Sequence, residues 1–236
     1  MRSAIGIVFL SLLSSVICAQ AQPQAAADGN SVAGNGAAPE SISPVVTFTL
    51  DFPHSQPEHY SIRIPAKGTA HYQSTGRVSR DSDEPDSFEF DFALSAELCD
   101  KIFRLARGAG HFQRDLDTHQ KNLAFTGTKT LAYKDAVVGG EATFNYANDV
   151  SARELTELFQ SLSATLEFGH RLDYDHRYQK LALDEELKRM QEMAHDNSLV
   201  EVAAIQPILE KIVADHSVMN VARARAQQLL PASAGH

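Results

Sequence analysis

The chain has no tryptophan and only two cysteines in 236 residues. Two cysteines exclude a small secreted scaffold held by several disulfides. Basic residues are also scarce: 21 Lys and Arg face 30 Asp and Glu, for a formal net charge of −9. That balance argues against a surface built to neutralise phosphates, so no nucleic-acid partner is expected. Arg223 and Arg225 cluster near the end of the last helical stretch, where the helix dipole already favours cations. After the N-terminal stretch no apolar run reaches the ~18 residues of a membrane span, so none is expected in the mature chain. Catalytic and nucleotide motifs are missing too. There is no G-x-x-x-x-G-K, no H-E-x-x-H, no C-x-x-C and no G-x-S-x-G. Gly108-Ala109-Gly110 follows a helical pattern instead of opening one, so it reads as a helix stop. No cofactor is expected, and the missing motifs weigh against an enzyme without excluding one. A hydrophobic content of 43% still excludes wholesale disorder.

What is present begins with an export signal. Met1-Arg2-Ser3 is a short positive start, and Ala4 to Ile17 is apolar. Ala19-Gln20-Ala21 then places small residues where a signal peptidase reads. Residues 1–21 therefore read as a cleaved secretory signal, and the expected location is periplasmic or extracellular. Ile17 is too bulky for the position before a lipidated cysteine, so no lipid anchor is expected at Cys18. Cleavage after Ala21 discards Cys18 and leaves Cys99. That residue lies among Leu98, Ile102 and Phe103 and reads as a buried, inert thiol. Residues 22–44 are mostly Ala, Gln, Gly, Asn, Ser and Pro, the composition of a flexible tether.

Alternation marks strands from Val45 onward. Val46, Phe48 and Leu50, then Tyr60, Ile62 and Ile64, then Ala70 and Tyr72, then Phe88, Phe90 and Phe92 each alternate with polar residues. Period two means one packed face and one wet face. Ser95 reads as the N-cap of a helix over 95–107 with Leu98, Ile102, Leu105 and Ala106 inside. Strand signals return at Leu123 and Phe125, at Leu131 and Tyr133, and at Ala142, Phe144 and Tyr146, with Gly139-Gly140 as a hairpin turn.

After Asp149 the spacing turns helical. Ser151 to Glu154 reads as a capping box ahead of Leu155, Leu158, Phe159, Leu162 and Leu166. Gly169 to Tyr174 interrupts that phase, which predicts a break near Gly169. A second stripe runs Tyr178, Leu181, Leu183, Leu187, Met190 and Ala194. Ser198 to Glu201 reads as another capping box, and Pro207 kinks or restarts the helix that follows. A last helix carries Val218, Val221 and Ala222 and stops at Pro231. Pro207 to Leu230 resembles one helical repeat of the HEAT type. Its spacing is off by one and no second copy follows, so it is not assigned to that family. The fold class is α+β: an antiparallel sheet with one packed helix, then an all-helical C-terminal region. Residues 45–149 form the mainly β part, 150–231 the helical part and 232–236 a disordered tail.

Four groups of residues bear on function. His170, Asp173 and His176 step by three and supply metal-ligand chemistry, for a metal-binding protein or a metal-assisted hydrolase, with His195 as a further ligand candidate. Stepping by three spreads them over a wide helical arc, and a zinc site needs three or four converging ligands. His111, Asp115, Asp117 and His119 put acid–base pairs in one polar loop, with no nucleophile positioned beside them. Asp81, Asp83, Glu84 and Asp86 lack the glycine and the final glutamate of a calcium loop and read as a solvated turn. The stripe Leu155, Leu158, Phe159, Leu162 and Leu166 is the candidate partner surface, although amphipathic stripes usually face their own core. Signal, tether and missing catalytic signatures together predict a non-catalytic binding or interaction module of a bacterial envelope. Its partner would be an envelope protein or a second copy.

Overall fold

A computed structural model describes residues 43–77 and 84–230. Among these residues six strands form one antiparallel sheet: β1 (Val45–Asp51), β2 (His59–Pro65), β3 (Ala70–Arg77), β4 (Pro85–Phe92), β5 (Thr128–Lys134) and β6 (Gly139–Phe144). Their order is β4-β3-β2-β1-β5-β6. The alternation sets the register. Phe48 stands opposite Ile62 on one side and Leu131 on the other, so the apolar rows meet across three strands. Val46, Phe48, Ile62, Ile64, Tyr72 and Leu131 are fully buried. Thr47, Thr49, Ser61, Gln73 and Thr130 take the opposite face.

Among the described residues five α-helices follow the architecture expected of the α+β class: α1 (Ala96–Gly108), α2 (Val150–Tyr178), α3 (Leu183–His195), α4 (Gln206–Ala214) and α5 (Asn220–Leu229). α1 and α2 pack on each other and on the sheet, and Phe159 of α2 stacks on Phe48 with ring centroids 5.1 Å apart. α3 and α4 each pack against α5 and against α2. No helix among the described residues is long and apolar enough to cross a membrane. Cys99 is only half-buried against the core, and that burial pushes its thiol up.

Several local expectations fail for identifiable reasons. Leu123 and Phe125 do not form a strand and are 42% and 56% exposed. The Asn145 side chain takes that segment's backbone instead, accepting from Thr126 N (3.0 Å) and donating to Ala124 O (3.0 Å). Gly139-Gly140 lies inside β6, paired with Lys134 and Tyr133. The hairpin turns at Asp135, whose Oδ1 accepts from Val137 N and Val138 N. Gly140 is needed for a close approach: a Cβ there would sit 2.2 Å from His111 O.

Helix starts differ too. Asp149, not Ser151, caps α2 by accepting from Ala152 N at 2.9 Å. A carboxylate also favours the positive end of the helix dipole. Ser198 to Glu201 makes no capping box, because Glu201 adopts a left-handed φ of 55°. Its carboxylate accepts from Ser95 N and Ser95 Oγ (2.7 Å), across to the start of α1. A tight turn over Val202–Ile205 leads into α4, and Pro207 sits in the first turn of that helix, where its missing N–H costs nothing. Tyr178 and Leu181 are 70% and 80% exposed and leave the second stripe to Leu183, Leu187 and Met190. Pro231 and the acidic residues Asp81 and Asp83 lie outside the described residues.

The expected break at Gly169 is absent, and α2 runs unbroken to Tyr178. A Cβ on Gly169 would fall 2.5 Å from Ile205 Cγ2. Glycine here admits the neighbouring chain; it does not end the helix.

Candidate functional site

The residues proposed for a metal go to separate places. His170 leaves α2 toward β4, where its Nε2 lies 2.9 Å from Asp86 Oδ2 and its ring stacks on Phe88 at 4.2 Å. Asp173 pairs with Arg177 and lies 3.9 Å from Lys211. His176 turns to Asp215, 3.0 Å away, a carboxylate that Lys180 also binds at 2.6 Å. His195 ends α3 and is exposed. Among the described residues no group of three or more His, Cys, Asp or Glu is arranged to hold a metal ion. Each histidine of the segment has its own aspartate instead of a shared centre.

The proposed partner stripe is also not open. Leu155, Phe159, Leu162 and Leu166 are fully buried and Leu158 nearly so, all within the core shared with the sheet. A 29-residue helix beside a sheet spends its apolar face on that sheet. The polar loop brings His119 Nε2 within 2.6 Å of Asp115 Oδ2. The hydrogen bond from His119 lowers the Asp115 carboxyl, and the carboxylate raises the imidazole. The pair is fully exposed, where water screens it. Asp117 organises the same loop by accepting from His119 N and Asn145 N. His111 packs instead on Tyr133, 4.4 Å between centroids.

A buried polar cluster joins α2 to the sheet. Tyr72 and Ser74 both donate to Glu167 Oε1 at 2.7 Å, and Ser163 lies 2.9 Å from the Tyr72 hydroxyl. Burial, with Glu167 adding to it, pushes the Tyr60 and Tyr72 hydroxyls well above the ordinary tyrosine range. Both therefore stay protonated and act as fixed donors or acceptors, not bases. Arg171 continues the cluster to Glu186 at 2.5 Å, and Arg189 binds the other Glu186 oxygen at 3.0 Å. Such a network is satisfied within the fold and pins one helix position to one sheet position.

A cleft of about 280 Å³ opens beside this cluster, between β4, α2 and the start of α4. Its walls are Phe88 and Phe90 from β4, Leu166 and Gly169 from α2, and Ala204, Ile205, Pro207 and Ile208 from the segment entering α4. His170, Asp173, Arg177 and Lys211 are its polar members. It shares Phe90, Ala204 and Pro207 with a shallower depression that continues along β4 past Phe92 to Ser95. Phe88, Phe90 and Phe92 form a ladder along it, with centroid steps of 5.8 and 6.2 Å and nearly parallel rings. Phe88 and Phe90 are only partly buried, unlike the inner residues of the central strands. The sheet's order causes this. β4 is an edge strand, and the helices cover the middle of the sheet more fully than this margin.

No protein-family model matches the chain, and no curated protein matches it. The site therefore rests on its own geometry. Alternation identified Phe88, Phe90 and Phe92 as one face, but nothing local marked their strand as the sheet's edge. Of the metal candidates, His170 and Asp173 line the cleft and His176 does not.

Proposed function

We propose that the chain is an exported, non-catalytic binding module of a bacterial cell envelope, with the β4 cleft as its ligand site. The observation that carries this reading is the partly buried Phe88–Phe90 ladder in a cleft with apolar walls and a few convergent polar groups. Ligand sites have that composition: apolar area supplies affinity, and sparse polar groups set orientation. The export signal and the tether read from residues 1–44 support the location. The metal candidates add nothing to catalysis in this reading; His170 and Asp173 serve as cleft-lining polar groups.

The test uses an environment-sensitive apolar dye on the full chain and on Ala204→Phe, which fills the cleft from the α4 side. Dye fluorescence should rise on the wild type and fall by roughly ten-fold in apparent affinity on the variant. Unchanged circular dichroism would show that the fold survives. Equal binding by both proteins, or none by the wild type, removes the cleft as a ligand site. Export is tested separately: the mature protein should begin at Gln22 by mass spectrometry and fractionate with the envelope.

A further inference from the structure

We propose that β4 accepts an extended peptide as an added strand, and that the peptide alternates apolar and basic residues. The inference rests on the cleft reading, since the peptide's apolar residues would enter that cleft.

β4 ends the sheet, pairing with β3 on one side, and among the described residues no strand pairs with its other side. An edge strand presents unpaired N–H and C=O groups that an incoming strand satisfies. Edges are usually blunted by charged side chains, lysine above all, by proline, bulges or shortness; the charges on β4, Asp86, Glu89 and Asp91, are all acidic, and Asp86 is taken up by His170. β4 has eight residues, an unbroken register from Pro85 to Phe92, no lysine, and proline only at its first position. Its backbone is thus suited to pairing.

The two faces of β4 specify what pairs. Phe88 and Phe90 look into the cleft, so the partner's residues on that face must be apolar. Ser87, Glu89 and Asp91 take the open face and are exposed. Residues directly opposite on an added strand lie close enough for opposite charges to stabilise and like charges to destabilise the pairing. Asp91 has a neighbour in His71, 2.7 Å away. Glu89 stands opposite the uncharged Gln73 on β3. Lys or Arg on the incoming strand therefore completes this face.

The same charges argue against other occupants. A second copy pairing β4 with β4 would set Glu89 and Asp91 against themselves or each other in every register that matches more than one pair of phenylalanines. The net charge of −9 adds repulsion. The chain's own residues 22–44 contain no Lys or Arg.

The experiment titrates the full chain with peptides of about eight residues, matched in length to β4. One alternates Val or Phe with Lys, a second replaces Lys by Glu, and a third is the Lys peptide N-methylated along one edge. The Lys peptide should bind roughly ten-fold or more tighter than the Glu peptide. N-methylation should abolish binding, and Glu89→Lys should erase or reverse the preference. Equal affinity for the Lys and Glu peptides overturns the proposal, as does indifference to N-methylation. A concentration-dependent dimer without peptide binding also overturns it. If the dye reports the cleft but no peptide binds, the added strand is wrong and the cleft reading stands. If neither binds, both fall.

Discussion

Replacing Gly169 with alanine sets two effects of opposite sign against each other. In an exposed helix interior this change stabilises by about 1 kcal/mol, because glycine loses more backbone freedom than alanine. Here the added Cβ would sit 2.5 Å from Ile205 Cγ2 and 3.1 Å from Ile205 Cβ. Ile205 is only 3% exposed, wedged between α2 and α4, so it has little room to retreat. Overpacking of this kind costs about 1–3 kcal/mol. The expected net effect is therefore a loss of up to about 2 kcal/mol, not a gain. The assay is urea unfolding followed by far-ultraviolet circular dichroism, with the midpoint compared at constant slope. A double-mutant cycle isolates the contact. Ile205→Ala removes Cγ2 but keeps Cβ at 3.1 Å, so Gly169→Ala made in that background should cost clearly less than in the wild type, approaching neutral. If Gly169→Ala alone raises stability, the close packing of α2 on Ile205 is wrong.

Two further predictions follow from buried polar groups. Desolvation, with Glu186 adding to it, pushes the Asp175 carboxyl up to about 6, against a partial opposing effect of Arg171. The fold then holds a proton that the unfolded chain has released, so this group's effect on stability becomes unfavourable as pH rises from about 4 through about 6. Asp175→Asn should gain about 1–2 kcal/mol at pH 7, discounted for partial exposure, and nothing near pH 4. Unfolding midpoints of the two proteins across that range check it, and parallel curves would refute it. Ser74→Ala and Tyr72→Phe each remove one donor to Glu167 Oε1 and should cost about 1.5–3 kcal/mol. The double variant should depart from additivity because both act on one oxygen, and calorimetric unfolding of the set measures this. A cost within error of zero for both single variants would mean that Glu167 is solvated.

The local code was strong wherever a short window carries a periodic signal. Val46-Thr47-Phe48-Thr49-Leu50 can bury only one face as a strand, and it does. The stripe Leu155 to Leu166 can bury only as a helix. Side-chain period follows from backbone geometry, so these windows need no partner to be read. Caps and turns were less legible, because several residue types can make them. Asp149 and Ser151 both suit an N-cap, and contact of Ser151 with the end of α1 decides between them. The same holds for Asp135 against Gly139-Gly140.

The sequence by itself determined the α+β class, the strands β1 to β4, the helical C-terminal region and the apolar set that fills the core. Tertiary structure alone decided three things. It made β4 an edge, because strand order depends on pairings between residues far apart in the chain. It opened the cleft, because Phe88, Gly169 and Ile205 meet only when sheet, α2 and α4 are assembled. It also gave His170 to Asp86 and His176 to Asp215, dissolving a cluster that is close in sequence into separate pairs. A helix points neighbouring residues in different directions, so closeness along the chain does not make a site.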